Sequence, residues 1–277
     1  MDPLVCRSPQ EVVRALAQQV RRIEGGGQAA HRPRISTGCP PLDRCLGGGG
    51  LCPGTLVEWL AAEPAGGATT LALRTAAEAT RGGVVVVLDR RREFYPPAAA
   101  AGGVDLGQMI VVWPGSENEQ CWAMDQVLRS QGVGAVLCWP SRLDARVFRR
   151  WQLAAESGGC LGLIFRPHTA RGQPSWAEVR LLVEPRGAGI SDFGFRISDW
   201  GGKSRERNHT GREASEAWRL GVTVLRGGKG ALGQQTLEIV IDERTGAVDE
   251  LSCSAADVGP LADPLADPAA HRRAQGA

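Results

Sequence analysis

The sequence predicts an α/β fold with a mostly parallel central sheet, and three observations predict it. A strand–turn–helix unit of the phosphate-loop type spans residues 54–79. Short apolar runs without polar alternation follow it, as strands buried on both faces require. Segments of helical periodicity separate those runs, which is the pattern of βαβ units.

The first unit sets the functional question. Leu56 to Leu60 suits a strand, Glu63 to Gly67 is a Gly/Pro-bearing turn, and the chain from Thr69 is rich in Ala and Leu, as a helix prefers. Such a turn offers phosphate a set of backbone N–H groups at the positive end of a helix. The motif is G-x-x-x-x-G-K-[ST], and here it reads Ala62-Glu63-Pro64-Ala65-Gly66-Gly67-Ala68-Thr69. A remnant survives in Gly66, Gly67 and the Thr69 hydroxyl, whereas Ala62 replaces the first glycine and Ala68 the lysine. A methyl group supplies no charge to the phosphates, and Glu63 adds a negative one.

Ahead of this unit, Ser8-Pro9-Gln10-Glu11 is a helix start with a capping box and proline at the first position. Val12, Val13, Leu16, Val20 and Ile23 then recur at helical spacing, and Gly25-Gly26-Gly27 ends the helix. Residues 1–34 thus form an amphipathic helix and linker, packed on its own core or on another subunit. Residues 35–254 form the core, and Ala255 to Ala277, rich in Ala, Asp and Pro, reads as a disordered tail.

Within the core, strands are expected at Val84–Leu88, Ile110–Trp113, Ala135–Trp139, Leu161–Phe165 and Val179–Glu184. Ser116 with Glu119 caps a helix that turns Cys121, Met124, Val127 and Leu128 inward, and Ser141 with Asp144 opens another that ends near Gly158. Beyond these, Phe193–Ser198, Leu220–Leu225 and Thr236–Asp242 read as strands that extend the sheet in antiparallel fashion. Gly201 to Glu216 is polar and charged, a loop or disordered.

Composition removes several function classes. A net charge of +2 gives no global field for nucleic acid. The eight cysteines form no C-x-x-C pair, and His31, His168, His209 and His271 are isolated, so no metal is expected. No apolar run reaches the ~20 residues that span a bilayer, and the N-terminus is charged and polar, so a cytoplasmic location is expected.

Ile35-Ser36-Thr37-Gly38 with Leu42-Asp43 and Leu46-Gly47, then Gly54, Val57-Glu58, the loop and Thr69-Thr70-Leu71, resemble a RecA-type recombinase core in order. Asp89, Pro96, Gly103-Val104-Asp105 and Val179-Arg180-Leu181 continue the match. The chain resembles the ImuA family more closely still, through Gly48-Gly49-Gly50-Leu51, Pro53 to Glu58, Leu137-Cys138-Trp139-Pro140, Arg149 to Glu156 and Leu161 to Pro167. The resemblance covers roughly Ile35 to Asp242.

A RecA-type ATPase needs a lysine on the phosphates, a hydroxyl and carboxylate around magnesium, a glutamate that activates water and a polar sensor. Carried over by position, the hydroxyl is Thr69, the lysine has become Ala68, and the carboxylate after the Ala135–Cys138 strand has become Trp139. The glutamate two residues beyond Asp89 has become Arg91, with Glu93 as a nearby substitute. Arg166, Pro167 and His168 stand where the sensor belongs. The resemblance therefore implies no hydrolysis and no cofactor.

Contact surfaces are drawn from basic and apolar residues. Arg142, Arg146, Arg149 and Arg150 are expected on one face of the Ser141 helix, opposite Leu143, Val147, Trp151 and Ala154, as a solvated face or a partner- or phosphate-contacting one. Arg171 is the one clear charge in the short segment His168–Ser175, where a RecA-type protein contacts DNA, and Trp176 either stacks on a base or joins the core. Arg226 and Lys229 sit at a hairpin tip, and Val13, Leu16 and Val20 line the first helix.

The resemblance implies an accessory protein of translesion DNA synthesis that bridges an ImuB-type polymerase-like partner, RecA and an error-prone polymerase. Two alternatives stand beside it: a nucleotide-dependent recombinase or mediator on single-stranded DNA, and a SulA-like inhibitor of cell division.

Overall fold

The computed structural model describes residues 33–62, 67–186, 217–228, 233–242 and 248–255. The chain enters through a short helix α1 (Pro40–Cys45) and runs into β1 (Leu56–Ala61). Helix α2 (Ala68–Ala79), strand β2 (Val84–Leu88), helix α3 (Pro96–Ala101) and strand β3 (Met109–Val112) follow. Then come α4 (Glu117–Arg129), β4 (Val133–Cys138), α5 (Ala145–Gly158), β5 (Leu161–Pro167) and β6 (Val179–Pro185). Three further strands, β7 (Ala217–Gly227), β8 (Gln235–Asp242) and β9 (Val248–Ala255), complete the described chain.

All nine strands share one sheet in the order β3-β2-β4-β5-β1-β6-β7-β8-β9. The first six in that order are parallel, and β7, β8 and β9 join antiparallel at one end. Strand β1 therefore lies in the middle, and its loop opens at the edge where all six parallel strands end.

The uninterrupted apolar runs have the expected cause. Alternate residues feed two cores, one on each face. Trp59, Leu71, Val87, Leu137, Leu163 and Leu181 fill the face covered by α2. Leu56, Val86, Met124, Leu128, Phe148 and Trp151 fill the face covered by α4 and α5. The indole Nε1 of Trp151 donates to the Cys121 carbonyl at 3.3 Å and ties those two helices together. Close packing also demands Gly134, where a Cβ would lie 2.1 Å from the Ala79 carbonyl oxygen.

The segment before β1 is held by one carboxylate. Asp43 accepts from the Thr37 backbone N–H and hydroxyl, both at 2.8 Å, and from the Ser36 hydroxyl at 2.6 Å. Thr75 of α2 then donates to the Thr37 carbonyl at 3.1 Å, so the Ser36-Thr37-Gly38 to Leu42-Asp43 motif is the clasp that docks α1 on α2.

Several boundaries differ from expectation. The helix expected from Ser141 begins four residues later. Asp144 is its cap, accepting from the Arg146 N–H at 2.7 Å, while the Ser141 hydroxyl accepts from Arg90 at 2.6 Å. The capping box at Ser116 is half-formed: Ser116 accepts from the Glu119 N–H at 3.1 Å, but the Glu119 carboxylate reaches the Gly115 N–H at 2.8 Å. Strand β3 begins one residue earlier than expected and β4 two, and Trp113 and Trp139 lie just beyond their ends. Helices α1 and α3 and strand β9 were not anticipated. Both helices begin with a proline in the first turn, the signal that marks them.

The expected N-terminal helix, the Phe193–Ser198 strand, the Gly201–Glu216 segment and residues 256–277 lie outside the described residues. No helix among the described residues is long and apolar enough to cross a membrane.

Candidate functional site

The loop between β1 and α2 leads to an ordered helix start. Gly67 caps α2 in the left-handed region at φ 82, with no side-chain cap. A Cβ there would lie 2.7 Å from both terminal carbons of Leu220, a fully buried residue of β7. The antiparallel extension thus presses against the start of α2. Ala68, at the lysine position, is buried in the core on the α2 face, and Thr69 beside it is half-buried. Glu63 and Gly66 lie outside the described residues.

At the neighbouring strand ends the groups are aromatic. Trp139, immediately after β4, stacks on Phe165 of β5 with ring centroids 4.4 Å apart and planes 8° from parallel. Phe94 is tilted against Trp139, with ring centroids 6.3 Å apart. Offset or tilted ring pairs of this kind add about 0.5–1.5 kcal/mol each beyond the area they bury. The Trp139 position carries an N–H donor and no oxygen, so it offers a magnesium ion no ligand. Among the described residues no group of three His, Cys, Asp or Glu is placed to hold a metal ion.

Asp89 has a structural partner. It is 6% exposed and accepts from the Phe94 N–H at 2.8 Å, closing the loop after β2 on itself. Arg91 points outward, its side chain 64% exposed and 4.0 Å from Glu93. Arg92 is the one non-glycine among the described residues with positive φ, at 59, and its guanidinium sits 5.6 Å over the exposed Trp113 ring.

A cluster that sequence reading missed lies across the sheet from these rings. Glu58 of β1 is fully buried, and its two oxygens take Arg166 of β5 at 2.7 Å and Arg180 of β6 at 2.6 Å. The Ser175 hydroxyl adds a third bond at 2.7 Å. Arg180 also donates to the carbonyls of Ala170 at 3.0 Å and Arg171 at 3.3 Å. Burial pulls the Arg180 guanidinium below its ordinary pKa, and the Glu58 carboxylate opposes that shift. The signal was in the sequence: Glu58 interrupts an apolar strand, Arg180 interrupts the next, and the two are directly paired in register.

This cluster decides how the segment after β5 behaves. Residues 168–177 fold back over Glu58 and are pinned through their main chain. Arg171 is half-buried in that turn, with its carbonyl bound by Arg180. Arg226 is not at a hairpin tip: it lies within β7, and its NH1 donates to the carbonyls of Ser175 at 3.1 Å and Ala177 at 3.0 Å. These two bonds fasten the end of the 168–177 segment to β7. Lys229 lies outside the described residues, as do Val13, Leu16 and Val20.

Because the helix starts late, Arg142 falls outside it, while Arg146, Arg149 and Arg150 keep the i, i+3, i+4 spacing of one face. Arg142 precedes α5 and is exposed, and Arg146 is exposed in its first turn. Arg149 lies over Trp176 at 4.7 Å and binds Gln152. Arg150 reaches Asp125 of α4 at 3.4 Å. Trp176 is half-buried against the α4/α5 core, as a core tryptophan would be. The inward residues Trp151 and Ala154 are buried as expected, with Phe148 joining them. The outer surface of the helix pair also exposes Trp122, at 66%, and Leu153, at 47%.

Residues 19–140 match the model of the RecA N-terminal domain. No curated protein matches the chain. The matched stretch ends at the close of β4, and the sheet, parallel at its centre with antiparallel strands added at one end, is that of a RecA-like core.

Proposed function

We propose that this protein is a non-catalytic, RecA-like accessory factor of error-prone translesion DNA synthesis, of the ImuA kind, and that it acts in the cytoplasm by binding. Its partners are an ImuB-type polymerase-like protein and RecA, with an error-prone polymerase reached through the complex. Any contact with DNA is weak or indirect.

The observation that carries this reading is the Trp139–Phe165 stack, which fills the strand ends where a RecA-type ATPase needs a magnesium-binding carboxylate. Two neighbours support it. The lysine position is a buried methyl group, and Arg91 points into solvent. The loss of one member of a catalytic unit costs nearly as much as the loss of all, so a scaffold with three replaced has binding left to offer. The pinning of residues 168–177 supports an indirect role at DNA, since that segment is committed to the protein's own main chain.

The test is capture of purified RecA and an ImuB-type protein by the full chain, with and without ATP and magnesium. Capture independent of nucleotide is expected, together with no measurable ATP binding. Tight magnesium-dependent ATP binding without capture would overturn the reading. A chain lacking residues 1–27 is expected to lose part of the capture, as an amphipathic helix reserved for another subunit would require.

A charge reversal locates a second contact. Arg142 and Arg146 are exposed and make no ion pair among the described residues. Exchanging both for glutamate is expected to weaken capture about tenfold, chiefly through a slower on-rate at low salt. Equal binding by the variant and the parent chain would move the contact elsewhere.

A further inference from the structure

The outermost strand β9 is held to α1 at two points. Arg44 pairs with Glu250, and one residue further along α1 the Cys45 thiol interacts with the Cys253 thiol, which also donates to Gln235 Oε1 of β8 at 3.8 Å. The sheet register explains the second contact. Cys253 is directly opposite Leu237 of β8, and Leu237 lies in the same buried cluster as Cys45 and Leu42. Directly opposed residues share a face of the sheet, so Cys253 faces α1. Cys45 is 4% exposed, whereas Cys253 is open to solvent. These are two neighbouring free thiols, 208 positions apart, one exposed and one buried.

We propose that Cys45 and Cys253 form a modification site: a thiol pair that two-electron oxidants of the peroxide class convert to an intramolecular disulfide, locking β9 to α1. The Cys253 thiol gives up its proton and its sulfur attacks one peroxide oxygen, breaking the O–O bond; this leaves a sulfenic acid and hydroxide, which takes that proton and departs as water. The Cys45 sulfur, losing its proton, then attacks the Cys253 sulfur and displaces its oxygen as a second water. The two sulfurs together lose two electrons and hydrogen peroxide gains them. The order follows from the surroundings. Cys253 is exposed to an oxidant from solvent while Cys45 is buried, and burial, with the neighbouring thiol and Glu250 adding to it, pushes Cys45 up to about 11, so Cys253 is the thiol that attacks first. The remaining buried thiols do not compete: burial raises Cys39 to about 11 and pushes Cys138 and Cys160 higher still.

The closed loop would hold both ends of the described core together, so oxidation is expected to act on the far strand and leave the β1 loop unaltered. The experiment treats the full-length chain with a small excess of hydrogen peroxide, alkylates the remaining thiols and maps the peptides. The expected result is a loss of two hydrogens in mass, a fall from eight titratable thiols to six, and one cross-linked peptide pair containing Cys45 and Cys253. Hydrogen exchange in residues 248–255 should slow in the oxidised chain and return to its former rate on reduction. The Cys253→Ser chain, which keeps the fold, should show neither effect. Recovery of Cys253 as a sulfinic acid, or in a disulfide with any thiol other than Cys45, would overturn the proposal. Full alkylation of both thiols after peroxide would overturn it equally. Neither result bears on whether the chain captures its partners.

Discussion

Replacing Glu58 with alanine is expected to destabilise the protein by about 3–5 kcal/mol, the cost of removing one member of a buried ion pair. Among the described residues, the carboxylate is the only negative charge set against Arg180 and Arg166, whose side chains are 0% and 8% exposed. Without it, two guanidinium groups stay unpaired in the sheet interior, and Arg180, already drawn below its ordinary pKa by burial, loses the charge that opposes the shift. At about 2–4 °C per kcal/mol for a chain of this size, the melting temperature should fall by roughly 10 °C. Ser175 also loses its acceptor, so residues 168–177 should become open to protease before the rest of the chain. A chain with Glu58→Leu and Arg180→Met should recover much of the loss, because apolar side chains of similar size often replace a buried pair at little cost. A Glu58→Ala chain that melted within 2 °C of the parent, on the same scale of sensitivity, would mean that water reaches these charges.

That cluster also shows where sequence reading stopped. The parallel strands were legible because both of their faces are buried, which removes polar alternation and leaves runs such as Val84 to Leu88. The start of α4 was legible because Ser116 bonds the Glu119 N–H as the spacing predicts. The start of α5 was not, because Ser141 and Asp144 both look like caps and the choice depends on Arg90, 51 residues away. Glu58 and Arg180 passed as letters of a motif: a single strand shows a charged residue, but only the register of two strands shows that the charges meet. Strand β9 and its thiol contact with α1 rest on pairing over some 200 residues, which no local pattern carries. The replaced positions Ala68, Arg91 and Trp139 could be found by spacing, while the stack that Trp139 forms required Phe165 to be placed beside it.

Restoring the missing ATPase groups together, with Ala68→Lys, Arg91→Glu and Trp139→Asp in one chain, is expected to yield no magnesium-dependent hydrolysis and a protein several kcal/mol less stable. Ala68 is 3% exposed within the apolar core. A lysine there starts from a buried site, where an ammonium loses its proton or displaces its neighbours. Leu220 closes the near side of the helix start against Gly67, so the new side chain has no clear route toward a phosphate. Exchanging Trp139 for aspartate removes the stack on Phe165 and the contact with Phe94, and a lost large aromatic costs about 3–5 kcal/mol in a core, less at this half-buried position. The sensor fails for a separate reason. Along β5, Phe165 faces the α2 side and Arg166 the opposite one, where Glu58 holds it at 2.7 Å. No substitution at those three positions turns that side chain through the sheet. Thermal melting and a phosphate-release assay on the triple variant test both halves. Hydrolysis above background would show that the scaffold had kept its catalytic geometry and that the three side chains alone separated it from an ATPase.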